Sequence, residues 1–405
     1  MNRVIGTGLV IGSILVAAGA SAADAAAPGT GDSPAVSATL KDAIENKAPP
    51  NKWSDMLKLG LTANGTIQGS LNADTRLADK NHTDASGKLS LSAMLSLWNE
   101  DRLYLKVKGG DGKGIDGDIP SFSRFNDETF DEDKIQLSEY WYETMQFDRR
   151  LVLKIGKIDM TGSTCTTDHA FDSNLIANDG NCSFMSSAFV NNRALEFPAG
   201  NTPAAMAWYR PVEFLNFGVG VAKTKDEWSD VFDKPFGIVQ ATFLPVIGGR
   251  TGNYRLYAWL NNSDHASLSD ENELTEQGHG FGLSFDQELT DTLSAFCRYG
   301  WERPEVYEIE HALSAGLRAA GSCYGRDKDA IGLAYGVGLL SGEFKDVQED
   351  SGIDAGDEHH VELYYSFEVN KYLSITPDVQ WVLNPVGDKD NDSVWVLGTR
   401  AVVKF

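Results

Sequence analysis

The stretch RLYLKVKG at residues 102–109 alternates without a break. Leu103, Leu105 and Val107 share one face of an extended strand, and Arg102, Tyr104, Lys106 and Lys108 share the other. An apolar face backed by a basic one suits a wall with lipid outside and water inside, the inverse of a soluble sheet. LSITPDVQWVL at residues 373–383 repeats the rule, setting Leu373, Ile375, Val379 and Trp381 against Ser374, Thr376, Asp378 and Gln380.

Working outward, sixteen such segments follow Trp53, bounded by Gly, Asn, Asp and Pro clusters. They cover residues 58–71, 88–98, 102–109, 134–146, 151–159, 204–210, 214–223, 236–244, 253–260, 278–285, 293–302, 311–320, 330–339, 360–369, 373–383 and 394–405. Tight connections at 99–100, 147–150, 211–213, 288–291 and 370–371 interleave with long ones such as 110–133, 160–203 and 340–359. Short turns on one side and long loops on the other describe an all-β fold, a sixteen-stranded antiparallel transmembrane barrel. Trp98, Trp208, Tyr209, Trp259, Trp301 and Trp395 fall near strand ends, where interfacial girdles sit. Periodicity alone also suits a secreted sandwich or propeller. The chain end argues against that: Trp395, Leu397, Ala401, Val403 and Phe405 share a face and finish in an aromatic carboxylate, a form that barrel assembly machinery recognises.

The remaining composition agrees. In 405 residues, 42% are hydrophobic and 23% charged, so the chain folds. A net charge of −23 removes the electrostatic footprint of nucleic-acid binding. MNRVIGTGLVIGSILVAAGASA reads as a secretory signal peptide, with Arg3 before an apolar run and Ala20-Ser21-Ala22 as the cleavage site. The Ala/Pro/Ser-rich residues 23–52 read as a flexible periplasmic segment before the barrel of residues 53–405. No later stretch approaches the length of a transmembrane helix.

Four stretches carry a family resemblance: IQLSEYWYETMQFDRRLVLKIGKIDM (135–160), LEFPAG (195–200), HHVELYYSFEVNKYLSITPDVQWVLNPVG (359–387) and VWVLGTRAVVKF (394–405). With them the chain resembles the OprB family of carbohydrate-selective porins of Gram-negative outer membranes. The resemblance implies a mostly monomeric, sixteen-stranded porin whose lumen is narrowed by inward loops and lined by charged, arginine-rich and aromatic residues. It implies passive uptake of mono- or small oligosaccharides, with lipid and lipopolysaccharide around the barrel. A general diffusion porin and a structural or adhesive barrel are the alternatives.

A sugar presents C–H faces and a rim of hydroxyls, so selectivity asks for aromatic platforms beside carboxylates and guanidinium groups. Glu139, Trp141 and Glu143 lie on one face of the fourth segment, with Gln136, Ser138, Tyr140 and Tyr142 on the other. Hydrophobicity does not choose between these faces; the cost of a carboxylate against lipid favours the Glu face inward. Arg102, Lys106 and Lys108 would form a basic ladder beside it, as a binding surface or as plain solvation of the lumen.

Cys165 and Cys182 lie in the longest loop, where a bond would stiffen an inward fold; Cys297 and Cys323 suit a second bond near the periplasmic rim. Their connectivity stays open. No metal or other cofactor is expected. DKDND at 388–392 has Ser393 where an EF-hand needs Gly, His359-His360 lacks a third ligand, and Gly278, Gly280 and Gly282 read as strand glycines beneath bulky neighbours. No G-x-S-x-G or comparable set supports catalysis.

Overall fold

The computed structural model describes residues 56–405, apart from 76–77, 98–99, 131–133, 162–168, 178–182, 199–200, 225–227, 230–232, 270–273 and 276. The signal peptide and the 23–52 segment lie outside the described residues. Sixteen strands form one closed antiparallel barrel. They are β1 (Leu57–Leu71), β2 (Thr83–Ser96), β3 (Arg102–Asp111), β4 (Gln136–Gln146), β5 (Leu151–Ile158), β6 (Thr202–Val212), β7 (Leu215–Ala222) and β8 (Phe236–Phe243). The circuit continues through β9 (Arg250–Asn261), β10 (Gly278–Glu288), β11 (Leu293–Glu302), β12 (Ile309–Ala320), β13 (Ala330–Leu340), β14 (Glu358–Asn370), β15 (Leu373–Leu383) and β16 (Val394–Lys404).

Each strand pairs with its sequence neighbours, and β1 joins β16 through Thr62↔Lys404 to Leu71↔Trp395, which leaves no open edge. Backbone bonds from Phe405 N to Leu61 O (2.9 Å) and from Leu61 N to Phe405 O (3.1 Å) finish that seam. The Phe405 ring stacks on Tyr372 with centroids 4.9 Å apart, at the same end as the short turns.

The outer face is apolar: Leu59, Leu91, Leu105, Ile155, Leu256 and Leu333 are exposed. The inner face is polar, and Arg298, Arg400, Glu362 and Gln380 are buried there. Among the described residues no helix is long and apolar enough to cross a membrane; the strands make the crossing. Two of the expected girdle residues turn the other way. Trp208 and Trp259 point inward and are 3% exposed, because the lumen beside β5–β9 is filled by apolar side chains rather than water. Tyr209 and Trp395 do face outward, and Trp98 lies outside the described residues. The strand glycines behave as read: a Cβ on Gly280 would meet Trp259 at 2.8 Å, and one on Gly282 would meet Tyr257 at 2.3 Å.

Candidate functional site

The wall formed by β3, β4 and β5 carries the residues singled out in the sequence. Glu139, Trp141 and Glu143 face inward, where Lys106 Nζ donates to Glu139 Oε1 at 2.9 Å and Arg102 Nη2 stands 2.8 Å from Glu143 Oε1. Lys154 Nζ (3.4 Å) and His169 Nδ1 (3.5 Å) approach the other oxygen of Glu143. A bulge lets Lys106 face Glu139 while Val107 faces Leu137, so the charges meet inside without turning the leucines inward. Tyr140 and Tyr142 face out: the Tyr142 hydroxyl donates to Asp101 Oδ2 at 2.6 Å, and Tyr140 accepts from Trp228 Nε1 at 2.5 Å.

Trp141 is not a free platform. Its ring stacks on Tyr104 of β3 (centroids 4.8 Å, 25° between planes), while Lys154 of β5 places Nζ 4.4 Å from its centroid. The flanking strands thus sandwich it. Gly156, with φ of +149°, permits this packing, since a Cβ there would lie 2.6 Å from Trp141 Cα.

Two long loops fold into the barrel and meet. The β5–β6 loop sends Phe171 against Trp208 (4.8 Å) and packs Phe184 and Phe189 against Phe296 and Tyr364 of the wall. Its short helix α1 (Ser187–Val190) is capped by Ser186, whose Oγ accepts from Ala188 N at 3.1 Å and donates to the Arg124 carbonyl at 2.7 Å. Arg124 belongs to the β3–β4 loop, and Asp127 of that loop accepts from Ser187 Oγ (2.7 Å) and Asn191 Nδ2 (2.8 Å). The wall grips this double shelf through charges. Arg400 donates to Ser183 O at 2.7 Å, Arg298 donates to Phe189 O, and Glu362 accepts from Met185 N and Ser186 N at 2.6 and 2.9 Å. Burial pushes the Asp127 and Asp172 carboxyls up from the ordinary range.

Between shelf and wall lies a cavity of about 460 Å³. Lys108 lines it, its Nζ 3.4 Å from Asn201 Oδ1 and 5.1 Å from the Phe130 centroid. The sequence reading missed the rest of its lining, which includes Lys88, Arg124, Asp127, Glu128, Asp159, Arg193 and Phe197. A signal was available, because a loop carrying Phe171, Ile176, Phe184, Met185, Phe189 and Val190 is too apolar to project into water.

The cysteine expectation divides. Cys165 and Cys182 lie outside the described residues. Cys297 and Cys323 are separate free thiols, which corrects the proposed rim bond. Cys297 pairs in register with Ala315, five residues inside the end of β12, which is roughly 17 Å of strand at about 3.4 Å per residue. Cys323 lies beyond that end, and a disulfide needs Cα atoms within about 7 Å.

Comparison with known proteins agrees with this architecture. The family model for "Carbohydrate-selective porin, OprB family" matches residues 76–405. QuiX of Acinetobacter baylyi is 20% identical over 400 residues, covering 85% of this chain and 88% of that protein. The porin AaxA of Chlamydia caviae is 23% identical over 244 residues, covering 58% of this chain and 51% of AaxA. The high-pH structure of Pseudomonas putida OprB superposes with a TM-score of 0.76 at 19% identity, covering 87% of this chain and 95% of that one. The chain belongs to the OprB family of carbohydrate-selective porins and is a sugar-selective channel of the outer membrane.

Proposed function

We propose that sugar is selected in the cavity between the shelf and the β3–β5 wall, and that Arg102, Lys106, Glu139, Trp141 and Glu143 shape this site from behind rather than stack on the sugar. The supporting observation is that the wall charges are already paired with one another and both sides of Trp141 are covered, whereas the cavity keeps open polar groups beside Phe197. About 460 Å³ is within the range of small-molecule sites. Transport through this channel is passive.

The rest of the reading concerns export. Residues 1–22 direct the chain across the inner membrane, Phe405 presents the last strand to the assembly machinery, and lipopolysaccharide surrounds the apolar belt. The barrel works as a monomer. Block of single-channel current by a neutral monosaccharide tests the site: Phe197→Ala should weaken it several-fold. Block that never saturates in the parent protein would favour a general diffusion pore instead.

A further inference from the structure

The shelf rests on bare backbone at three separate points of the wall. The inward faces of β7, β11 and β13 each place a glycine beneath the β5–β6 loop, and a Cβ at any of them would press on it. On Gly220 it would lie 2.6 Å from Met160 Cε and 2.7 Å from Phe171 Cε2; on Gly300, 2.5 Å from Asn192 Oδ1 and 2.8 Å from Ala194 Cβ; on Gly336, 3.2 Å from Phe189 Cε1. Gly332, by contrast, lies beneath Tyr364 of the wall itself. The opposite side of the same loop faces the cavity through Ser187, Asn191 and Arg193. Behind α1 the space left against β12 and β13 is only about 10 Å³, room for one water at most, so bulk added there has nowhere to go but into the loop.

Two kinds of contact hold the loop, and they fix different things. Arg298, Arg400 and Glu362 reach it with long side chains, which can swing with a small displacement and keep their hydrogen bonds. Close-packed atoms cannot, because overpacking is relieved only by moving side chains or backbone. The charged groups therefore choose the loop's orientation, and the glycines its depth. We propose that Gly220, Gly300 and Gly336 are positioning residues that set the size limit for permeating sugar. Their missing side chains let the loop sit back against the wall from β7 to β13, which leaves the cavity open on the side of β3–β5. A side chain at any of the three would drive the loop toward β3–β5 and narrow the passage. This rests on the reading that solute passes through the cavity.

The test reconstitutes Gly336→Val and Gly300→Ala in liposomes and compares swelling with glycerol, erythritol, glucose and sucrose, alongside single-channel conductance in planar bilayers. Swelling should fall severalfold more for the larger solutes than for glycerol, and conductance should fall with it. Phe189→Leu added to Gly336→Val should restore both, since it vacates the space that valine takes; a barrel that is only destabilised would not recover its size limit in this way. If Gly300→Ala gives no heat-modifiable barrel, Gly336→Ala joins Gly336→Val as a smaller step, and the narrowing should grow from alanine to valine. Heat-modifiable variants with an unchanged size limit, or with raised conductance, overturn the inference, while saturable sugar block in the parent protein keeps the cavity reading. A parent protein without saturable block overturns that reading and the inference with it.

Discussion

Glu358 and Glu362 stand four residues apart on the inward face of β14, and each holds a different loop inside the lumen. Glu358 accepts from Ser121 Oγ and from the backbone N–H groups of Phe122, Ser123 and Val386, all at 2.9–3.0 Å. Glu362 accepts from Met185 N and Ser186 N. His360 lies between them, its Nε2 3.0 Å from Gln380 Oε1. One strand therefore fixes both halves of the shelf, and charge-assisted bonds of this kind contribute about 1.5–3 kcal/mol each.

Glu362→Ala should release the β5–β6 loop while the barrel remains closed. Single-channel conductance is expected to rise, with added open-channel noise, and sugar block to weaken. Glu358→Ala should act through the other loop and give a smaller rise. Conductance unchanged in both variants would show that the glutamates do not hold the constriction.

Trp141→Ala removes the middle of the Tyr104–Trp141–Lys154 stack. The expected cost is about 3–5 kcal/mol, as for other truncated aromatics. It should appear as a lower temperature for conversion to the heat-denatured gel form. The order of sugar preference should stay the same; a changed order would place Trp141 in contact with the solute.

Glu196 couples the shelf to the extracellular loops. It stands 3.1 Å from His265 Nε2, accepts from Asn261 Nδ2 at 2.7 Å and accepts from the Tyr307 hydroxyl. The hydrogen bond to Glu196 raises the pKa of His265. Burial opposes ionisation of Glu196, but the His265 and Tyr307 contacts outweigh it and hold its pKa low. Stability from the histidine is complete below about pH 6.5 and fades as pH rises through its raised value; that from the glutamate is complete above about pH 4.5 and fades as pH falls through its lowered value. The latch should be tightest between these limits. A spin label at Ala266, in a background lacking the native cysteines, should show its slowest motion there, and His265→Ala should flatten the profile.

For the cysteines, non-reducing peptide mapping should recover a bond between Cys165 and Cys182 and free thiols at Cys297 and Cys323. A water-soluble maleimide should label exposed Cys323 readily. Cys297, on the outward face of β11, should react only with an apolar reagent. A recovered Cys297–Cys323 peptide would contradict the register of β11 and β12.

The barrel was legible because its rule is local: along β3 and β15, each side chain's polarity reports its face, and all sixteen segments have counterparts in the strands. Strand ends were less so. Alternation marks the sixth segment at residues 204–210, whereas β6 runs from Thr202 to Val212, its ladder carried past the Pro211 that reads as a turn. The wall ladder of Arg102, Lys106, Glu139 and Glu143 was also within reach, since alternation and the cost of a lipid-facing carboxylate together point it inward. The cavity was not. Arg124 and Arg193 sit in loops without periodicity, and they meet only because Ser186 and Asp127 join two segments some sixty residues apart. Trp208 and Trp259 misled for a related reason: inward apolar residues make sense only once Phe171 and its loop are known to fill the space beneath them.

The most direct test of a sugar-selective channel is liposome swelling with the purified, reconstituted protein, comparing neutral monosaccharides with amino acids of equal size. Swelling rates should separate solutes of one size by chemistry, with sugars ahead of amino acids. Rates ordered by molecular size alone, or no swelling at all, would contradict the account.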